Sequence, residues 1–562
     1  MMKTSHFGSM ALAAALAMGV GASACGGSGP SADDTAATAE SAMGNGRYQW
    51  WRHERDARQA ELDTFFQDNS AEFKAFKNTA LGNLGIPMVM LRLFPELFPE
   101  IWGAPGDSFA PVGFAKDPYE PSRVLPLGLG FAGSTPAVPV SATVSVNINV
   151  VALTCMGCHG GRVQGADNVV HTVVGMPNTQ FTNFRGAVYA TVSSPKYTAD
   201  TFRAALAAKP LGWVYGDPAL AQQEYLERAI FLSPGAAENF LAKLKGGSIA
   251  GAQRFAQTLG AYTYQVPNAP DLRASTPGYL DAIGAGIAAI VNPAVLTPAQ
   301  VQGAVPPAPA QIDIMSVWRQ DERPLAQWDG SIKDLTHRNL AAEFGVIGDP
   351  THISMENVNL TTPLTVKMPS PPYPFDVERP AAARGQRLYN QYCASCHTGG
   401  NAEIFDVARV GTDPNRAQIW KPYSVAGLRS VLRSACTDAV TCNHPDGTPL
   451  ADEEIVNPTG GYMAIPLRGI WARAPYLHNG SVPTLAALLT GDRPAQFYRG
   501  NIAYDETNVG FADAPAPGAV KYDTTRSGLG NRGHDTAEFL GDVDWKNEPR
   551  KLHDLLEYLK TL

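Results

Sequence analysis

The chain carries two pentapeptides of one pattern, Cys155-Met-Gly-Cys158-His159 and Cys393-Ala-Ser-Cys396-His397. This spacing is the attachment signature of c-type haem, because two thiols bond to the porphyrin and the adjacent imidazole is close enough to ligate the iron. The sequence therefore predicts two covalent haems with His159 and His397 as proximal ligands. Structural zinc is disfavoured, because it needs Cys and His pairs that converge on one tetrahedral site, whereas each His here directly follows its own Cys pair.

The residues around the second pentapeptide have helical periodicity. Ala383 to Tyr392 places apolar and aromatic residues on one stripe that leads into Cys393, and Leu552 to Leu562 repeats leucines at helical spacing. These two segments look like the first and last helices of a cytochrome c domain.

The remaining cysteines and the N-terminus indicate the compartment. Of seven cysteines, four are assigned to haem, which leaves Cys25, Cys436 and Cys442. The last two are six residues apart in a polar loop and can form a disulfide outside the cytoplasm; two reduced thiols are the alternative. An apolar run from residue 10 to 20 after a lysine predicts an export signal over residues 1–24.

The export signal leaves two cleavage schemes open. Residues 22–24 fit ordinary signal peptidase, but with Cys25 they also form an imperfect lipobox, and we favour a lipid anchor because Cys25 would otherwise be an exposed unpaired thiol. Residues 25–46 are rich in small residues and predict a flexible tether. We expect a periplasmic or membrane-anchored lipoprotein, with secretion as the alternative.

The composition sets the fold class. A chain of 562 residues with 44% hydrophobic residues holds more than one domain, and 44 prolines with 54 glycines predict long loops. We predict a mainly α protein with two cytochrome c-like haem domains, the first over residues 47–370 with a helical insertion at about 197–301, the second over 371–562. The net charge of −8 gives no indication of nucleic-acid binding.

A longer motif carries a family resemblance. The string Ile465 to Ser481 includes Pro475-Tyr476-Leu477-His478-Asn479-Gly480 and, with the order of the haem pentapeptides, resembles the bacterial di-haem cytochrome c peroxidase superfamily, which includes MauG and the rubber oxygenases. The resemblance implies that His478 belongs to a cofactor site. It also implies that Trp328, in Gln327-Trp328-Asp329-Gly330, lies between the haems; without the resemblance, a buried packing role is the simpler interpretation.

The chain departs from that superfamily at the second haem. In the peroxidases a methionine ligand lies about fourteen residues after the Pro-Tyr-x-His motif; here that position is Asp492, and no methionine follows Met463. The loop ending in Gly533-His534 is similar to the Gly-His segment that supplies an axial ligand in the rubber-oxygenase branch. His534 is therefore our candidate for the second axial ligand, with an ordinary loop histidine as the alternative. Bis-histidine ligation predicts a lower potential than His/Met ligation.

The first haem is the candidate reactive site. His171, twelve residues after His159, is a candidate switchable ligand, although a surface or propionate-bound histidine fits equally well. The distal acid of the peroxidases is expected near residue 347 and is absent there, while Glu343 and Phe344 lie slightly nearer. An acid at this place favours peroxide chemistry, and a phenylalanine favours oxygen binding and an apolar substrate.

The resemblance also implies a calcium ion held by Asn178 with backbone carbonyls near Arg473 and Pro475. The expected function is an exported di-haem oxidoreductase that activates hydrogen peroxide or dioxygen at the haem of His159. It would exchange electrons through Trp328 with the haem of His397 and His534, and its partner would be a small redox protein or an organic substrate. An electron-transfer cytochrome without catalysis is the alternative.

Overall fold

The computed structural model describes residues 32–83, 85–104, 109–135, 137–179, 183–248, 290, 297, 299–300, 310–347, 349–399 and 403–562. Residues 1–47 and 48–562 form separate units, and the second contains both pentapeptides. The expected export signal, Cys25 and residues 249–289 of the expected insertion lie outside the described residues.

Helices are the main regular structure, as the mainly α prediction requires. Their bounds are Ala32–Asp68, Ser70–Asn78, Met88–Leu91, Phe94–Leu97, Pro99–Trp102, Cys155–His159, Asn183–Ser193, Ala199–Ala207, Ala221–Leu232, Leu335–Ile347, Met355–Lys367, Arg379–Tyr392, Ala394–His397, Val407–Val410, Pro422–Ala435, Asp452–Ile455, Leu485–Thr490, Ala537–Leu540 and Pro549–Leu559. The first of these helices includes residues 32–46, which the composition predicts as part of a tether. No helix among the described residues is long and apolar enough to cross a bilayer.

The strands are short and pair antiparallel. They are Ile86–Pro87, Leu129–Ser134, Val138–Pro139, Ser145–Val146, Asn149–Leu153, Gly160–Gln164, Val170–Val174, Ile404–Asp406, Gly461–Met463, Gln496–Arg499, Tyr504–Asp505, Gly510–Phe511 and Val520–Asp523. The stretch from 138 to 151 forms three strands, because the chain turns back on itself at Val140 to Val144. The last of the three leads directly into the first haem pentapeptide.

The predicted first and last helices of the C-terminal part are confirmed, and they cross in close contact. The helix Arg379–Tyr392 packs against Pro549–Leu559, and a Cβ at Gly385 would overlap the carbonyl oxygen of Asp554. Arg384 forms an ion pair with the Asp554 carboxylate at 2.6 Å. Glycine at this crossing lets the two backbones approach, so the sequence Arg384-Gly385 fixes where the helices meet.

One apolar core joins the two haem segments, by which we mean the pentapeptides 155–159 and 393–397 with the residues packed around them. It contains Trp51 from the first long helix, Met156 from the first pentapeptide, and Trp471 and Leu555 from the C-terminal part. A second cluster packs the segment from Leu81 to Leu241, and a third packs Phe344 against Leu428 and its neighbours. The N-terminal and C-terminal haem segments therefore share buried side chains.

The cysteine pairing agrees with the prediction from the sequence. Cys436 and Cys442 form a disulfide with their Cα atoms 5.7 Å apart. The other four described cysteines are those of the two pentapeptides, and all four are free.

Candidate haem sites

Burial controls the chemistry of the pentapeptide thiols. Desolvation raises the pKa of Cys158 to about 12 and the pKa of Cys393 to about 11, and burial together with Glu343 raises the pKa of Cys155. These surroundings favour the neutral thiol over the thiolate at the three cysteines.

The second pentapeptide places its histidine for iron ligation. His397 ends the short helix Ala394–His397, and its Nδ1 donates a hydrogen bond to the carbonyl oxygen of Ile465 at 2.8 Å. Burial lowers the pKa of His397, so the imidazole stays neutral. With Nδ1 occupied, Nε2 is the nitrogen left for a metal, which is how ligating histidines are usually oriented.

His534 lies opposite His397. The centroids of the two imidazole rings are 6.1 Å apart, and burial lowers the pKa of His534 to about 4. Two imidazoles that ligate one metal from opposite sides, with metal–nitrogen distances of about 2 Å, have centroids about 6 Å apart. The residues present therefore fit a haem iron between the rings, and the buried Nδ1 of His534 has no hydrogen-bond partner in the described structure.

The loop that carries His534 is positioned by the Pro-Tyr-x-His-Asn-Gly motif. The side-chain amide of Asn479 donates to the carbonyl oxygen of Gly530 at 2.8 Å. Arg493 donates to the carbonyl of Gly533 at 2.8 Å, and the backbone N–H of His534 donates to Val410 at 2.9 Å. The motif residue Asn479, together with Arg493 and Val410, thus fixes the backbone of the candidate axial ligand.

The first pentapeptide has different surroundings. His159 ends the helix Cys155–His159, its Nδ1 is buried without a hydrogen-bond partner, and burial followed by Arg338 and Arg323 lowers its pKa to about 3. In the part of the chain that the structure describes, no second histidine ring faces His159 within ring-contact distance. A neutral, half-buried imidazole beside a haem attachment segment fits an iron ligand, and the opposite side has no assigned ligand.

The structure separates Glu343 from Phe344. Glu343 accepts hydrogen bonds from the side chain of Asn357 at 3.0 Å and the backbone of Ser354 at 3.3 Å, and it influences the thiol of Cys155. Burial raises the pKa of Glu343 well above its ordinary value. Phe344 instead packs in the apolar cluster of Leu428. The carboxyl, and not the phenyl ring, is thus the group linked to the first haem attachment segment.

His171 lies on the hairpin that follows His159. In the register of the two strands, Gly160 pairs with Val174 and Val163 pairs with His171, so His171 is three residues, or about 10 Å, farther along the hairpin. Its ring contacts Phe375 edge to face at 5.5 Å. The role of His171 as a switchable ligand stays a prediction.

The other residues implied by the resemblance lie in buried polar surroundings. Trp328 donates from Nε1 to the carbonyl of Asp313 at 2.7 Å and packs beside Tyr462. His478 stacks on Tyr462 at 4.2 Å, and its buried Nε2 has no hydrogen-bond partner. These placements assign neither residue to a haem, and both roles remain predictions.

Asn178 anchors the first pentapeptide. Its amide nitrogen donates to the carbonyls of Gly113 and Gly157 at 2.8 and 3.0 Å, and its backbone N–H donates to Cys158 at 2.8 Å. No group of three or more acidic, His or Cys side chains among the described residues is arranged to hold a metal ion. The calcium ion implied by the resemblance stays a prediction.

Sequence reasoning missed one residue between the two haem segments. Trp318 is buried, its Nε1 donates to the carbonyl of Arg468 at 2.8 Å, and the guanidinium of Arg473 lies 5.6 Å from its ring. The backbone of Val317 donates to Gly175, whose own N–H donates to His159 at 2.8 Å. Trp318 has no motif around it, so only the fold reveals this position.

Three family models match parts of the chain. Residues 461–499 match a RoxA-like, cytochrome c-like domain, residues 380–456 match the model of cytochrome C oxidase, cbb3-type, subunit III, and residues 71–159 match a Y4iN-like domain. The two cytochrome matches cover the second pentapeptide and the Pro-Tyr-x-His motif. The chain is a cytochrome c-containing protein, and cytochrome c-like domains carry covalently bound haem c.

Curated relatives occur in Sinorhizobium fredii. The uncharacterized protein y4iM is 38% identical over 284 residues, which is 46% of this chain and 66% of y4iM. The uncharacterized protein y4iJ is 30% identical over 234 residues, covering 33% of this chain and 39% of y4iJ. The uncharacterized protein y4iN is 39% identical over 92 residues, covering 16% of this chain and 44% of y4iN. The chain thus matches less than two thirds of the length of each relative.

Proposed function

We propose that this chain is an exported di-haem oxidoreductase of the cytochrome c peroxidase superfamily, which activates hydrogen peroxide or dioxygen at the haem of His159. The observation that carries the proposal is the difference between the two histidine sites. His397 faces a second imidazole, that of His534, at 6.1 Å, whereas His159 faces none among the described residues. When bound, haem c supplies an iron that cycles between ferrous and ferric states.

The chain's own residues give the two sites different tasks. His397 and His534 would hold one haem iron from two sides, and such an iron suits electron transfer. Burial raises the pKa of the Glu343 carboxyl well above its ordinary value, which favours the protonated form. With haem held at His159, this carboxyl would be the group that holds and donates a proton, which is the task of a general acid.

Export fits the same chemistry. The disulfide Cys436–Cys442 is typical of proteins outside the cytoplasm, and the sequence predicts a signal over residues 1–24 with a lipid anchor at Cys25. We propose a periplasmic or membrane-anchored location and a small redox protein or an organic molecule as the electron partner. The net charge of −8 favours a partner with a basic face.

Ligand binding and turnover test the proposal. The reduced protein should bind carbon monoxide at one of its two haems, and Glu343→Gln should lower the rate of hydrogen peroxide reduction by about 100-fold. Phe344→Leu is the matched neighbour and should leave the rate within a few-fold. If neither haem binds carbon monoxide, the protein is an electron-transfer cytochrome without catalysis.

A further inference from the structure

Three buried arginines have no carboxylate partner. Arg323, Arg338 and Arg473 are 6, 8 and 8% exposed, and no carboxylate in the described parts of the chain forms an ion pair with them. Buried arginines elsewhere do have such partners, since Arg416 pairs with Asp329 and Arg499 pairs with Asp313. A buried guanidinium without an ion-pair partner is unfavourable, so an anion bound beside these three arginines would stabilise them.

Two of the three arginines contact Trp318, one at its backbone carbonyl and the other at its ring. Arg323 donates from Nη2 to the carbonyls of Ser316 and Trp318 at 2.9 and 3.4 Å. The guanidinium of Arg473 lies 5.6 Å from the Trp318 ring, and its Nη1 donates to the carbonyl of Pro466 at 2.8 Å. The buried Nε of Arg473 has no acceptor, so donor capacity remains available.

Trp318 is enclosed by both haem segments. A Cβ at Gly175 would lie 2.9 Å from its ring, and a Cβ at Gly469 would lie 2.7 Å from it. Gly175 follows the hairpin that begins after His159. Its backbone N–H donates to the carbonyl oxygen of His159. Gly469 belongs to the segment that begins after Ile465, the hydrogen-bond acceptor of His397. The arginines therefore lie where the two cofactor segments meet.

Backbone hydrogen bonds place the two arginines beside different histidine segments. Arg323 donates to carbonyls on both sides of Val317, whose N–H donates to Gly175, and the N–H of Gly175 donates to His159. Arg473 donates to the carbonyl of Pro466, which follows the Ile465 acceptor of His397. Burial lowers the pKa of Arg323 to about 10 and that of Arg473 to about 9, and the charge of Arg323 also lowers the pKa of Arg473. Positive charges that disfavour one another in this way are stabilised by a nearby anion.

We propose that Arg323 and Arg473, which contact the backbone and the ring of Trp318, bind propionate carboxylates of the two haems, one guanidinium for each haem. Each haem carries two propionates, and a planar guanidinium holds a carboxylate through paired hydrogen bonds. The Nε of Arg338 is also buried without an acceptor and is a further donor available to an anion. One buried cluster then anchors both cofactors and fixes their separation.

The inference rests on the two-haem content of the proposed function and predicts redox shifts. A cation beside a haem favours the ferrous form, because reduction adds negative charge. Arg473→Gln should lower the midpoint potential of the second haem, and Arg323→Gln should lower that of the first. Each change should also lower the potential of the other haem by a smaller amount, since both arginines contact Trp318.

Spectroelectrochemical titration of the full-length holoprotein tests this prediction. Denaturing mass spectrometry first counts the attached haems, which reports on the two-haem content separately, and no substrate is present, so loss of turnover does not affect the potentials. Arg433→Gln, an exposed arginine paired with Asp452, is the control and should leave both potentials unchanged. Two attached haems with wild-type potentials in both Arg323→Gln and Arg473→Gln would overturn the proposal.

Lysine variants keep the test valid where a glutamine variant fails to accumulate. Arg473→Lys and Arg323→Lys retain the charge but lose the paired hydrogen bonds. In infrared redox difference spectra of protein with carbon-13-labelled propionates, the carboxylate bands should differ from those of the wild type. Unchanged bands in both lysine variants would contradict the assignment.

Discussion

The two haem segments differ in how their histidines are held. His397 donates to the carbonyl of Ile465 and faces His534 across 6.1 Å, so its surroundings specify both sides of an iron. His159 has neither a hydrogen-bond acceptor for Nδ1 nor an opposing ring in the described structure, and a buried acid, Glu343, lies near its pentapeptide. We therefore propose that the same attachment motif serves two tasks, because residues far away in sequence decide what lies opposite each histidine.

The largest expected effect comes from removing one haem at a time. Cys393→Ala with Cys396→Ala should remove the second haem and lower the free energy of unfolding by at least about 3–5 kcal/mol, the cost of a large core truncation. The same pair of changes at Cys155 and Cys158 should remove the first haem only. Denaturing mass spectrometry counts the haems, and urea unfolding measures stability. Wild-type protein with a single haem, or with zinc, would remove the basis of the comparison.

Breaking the ion pair between Arg499 and Asp313, which contacts the Pro-Tyr-x-His motif, should have the next largest effect on the free energy of unfolding. Arg499 pairs with Asp313, both are buried, and Arg499 also donates to the carbonyl of Asn479 at 3.0 Å. Arg499→Ala leaves a buried carboxylate without its partner and should cost about 3–5 kcal/mol. Asn479 holds the loop of His534, so Arg499→Ala should also disturb that loop. The low-spin signal of the second haem should therefore weaken, while carbon monoxide binding at the first haem should change less.

Stability should depend on pH through Glu343. Burial raises its pKa in the folded state above the ordinary value of 4.5, so the folded protein holds this proton where the unfolded chain has lost it. Stability should therefore fall as pH rises above about 4.5, by at most about 1.4 kcal/mol per pH unit for one proton. Glu343→Gln should remove this dependence, which urea titrations at several pH values will show. Equal slopes in wild type and variant would contradict a protonated Glu343.

Two tryptophans allow a finer test of how electrons pass between the two haems. Trp318 contacts the segments of both haems, whereas the resemblance to the superfamily implies Trp328 for the inter-haem position. We expect Trp318→Phe to slow electron transfer between the haems more than Trp328→Phe does, in flash photolysis of the half-reduced protein. A larger effect of Trp328→Phe would favour the position implied by the resemblance.

Local patterns predicted the parts of the molecule that depend on short stretches of chain. The pentapeptides, the helix Arg379–Tyr392 and the disulfide of Cys436 follow from spacing within a few residues. His534 was accessible only through the resemblance of its glycine-rich loop, since the facing His397 is far away in sequence. The arginine cluster at Trp318 was not predictable, because the hydrogen bond from Trp318 to Arg468 spans 150 residues and no local pattern records it.

Electron paramagnetic resonance of the ferric protein tests the difference between the two sites most directly. We predict one low-spin bis-histidine signal from the haem of His397 and a second, distinct signal from the haem of His159. His534→Ala should abolish the low-spin signal and leave the other unchanged, while Met463→Ala, as a control, should alter neither. A His534→Ala variant that keeps its bis-histidine signal, or a wild-type protein with two identical signals, would contradict the account.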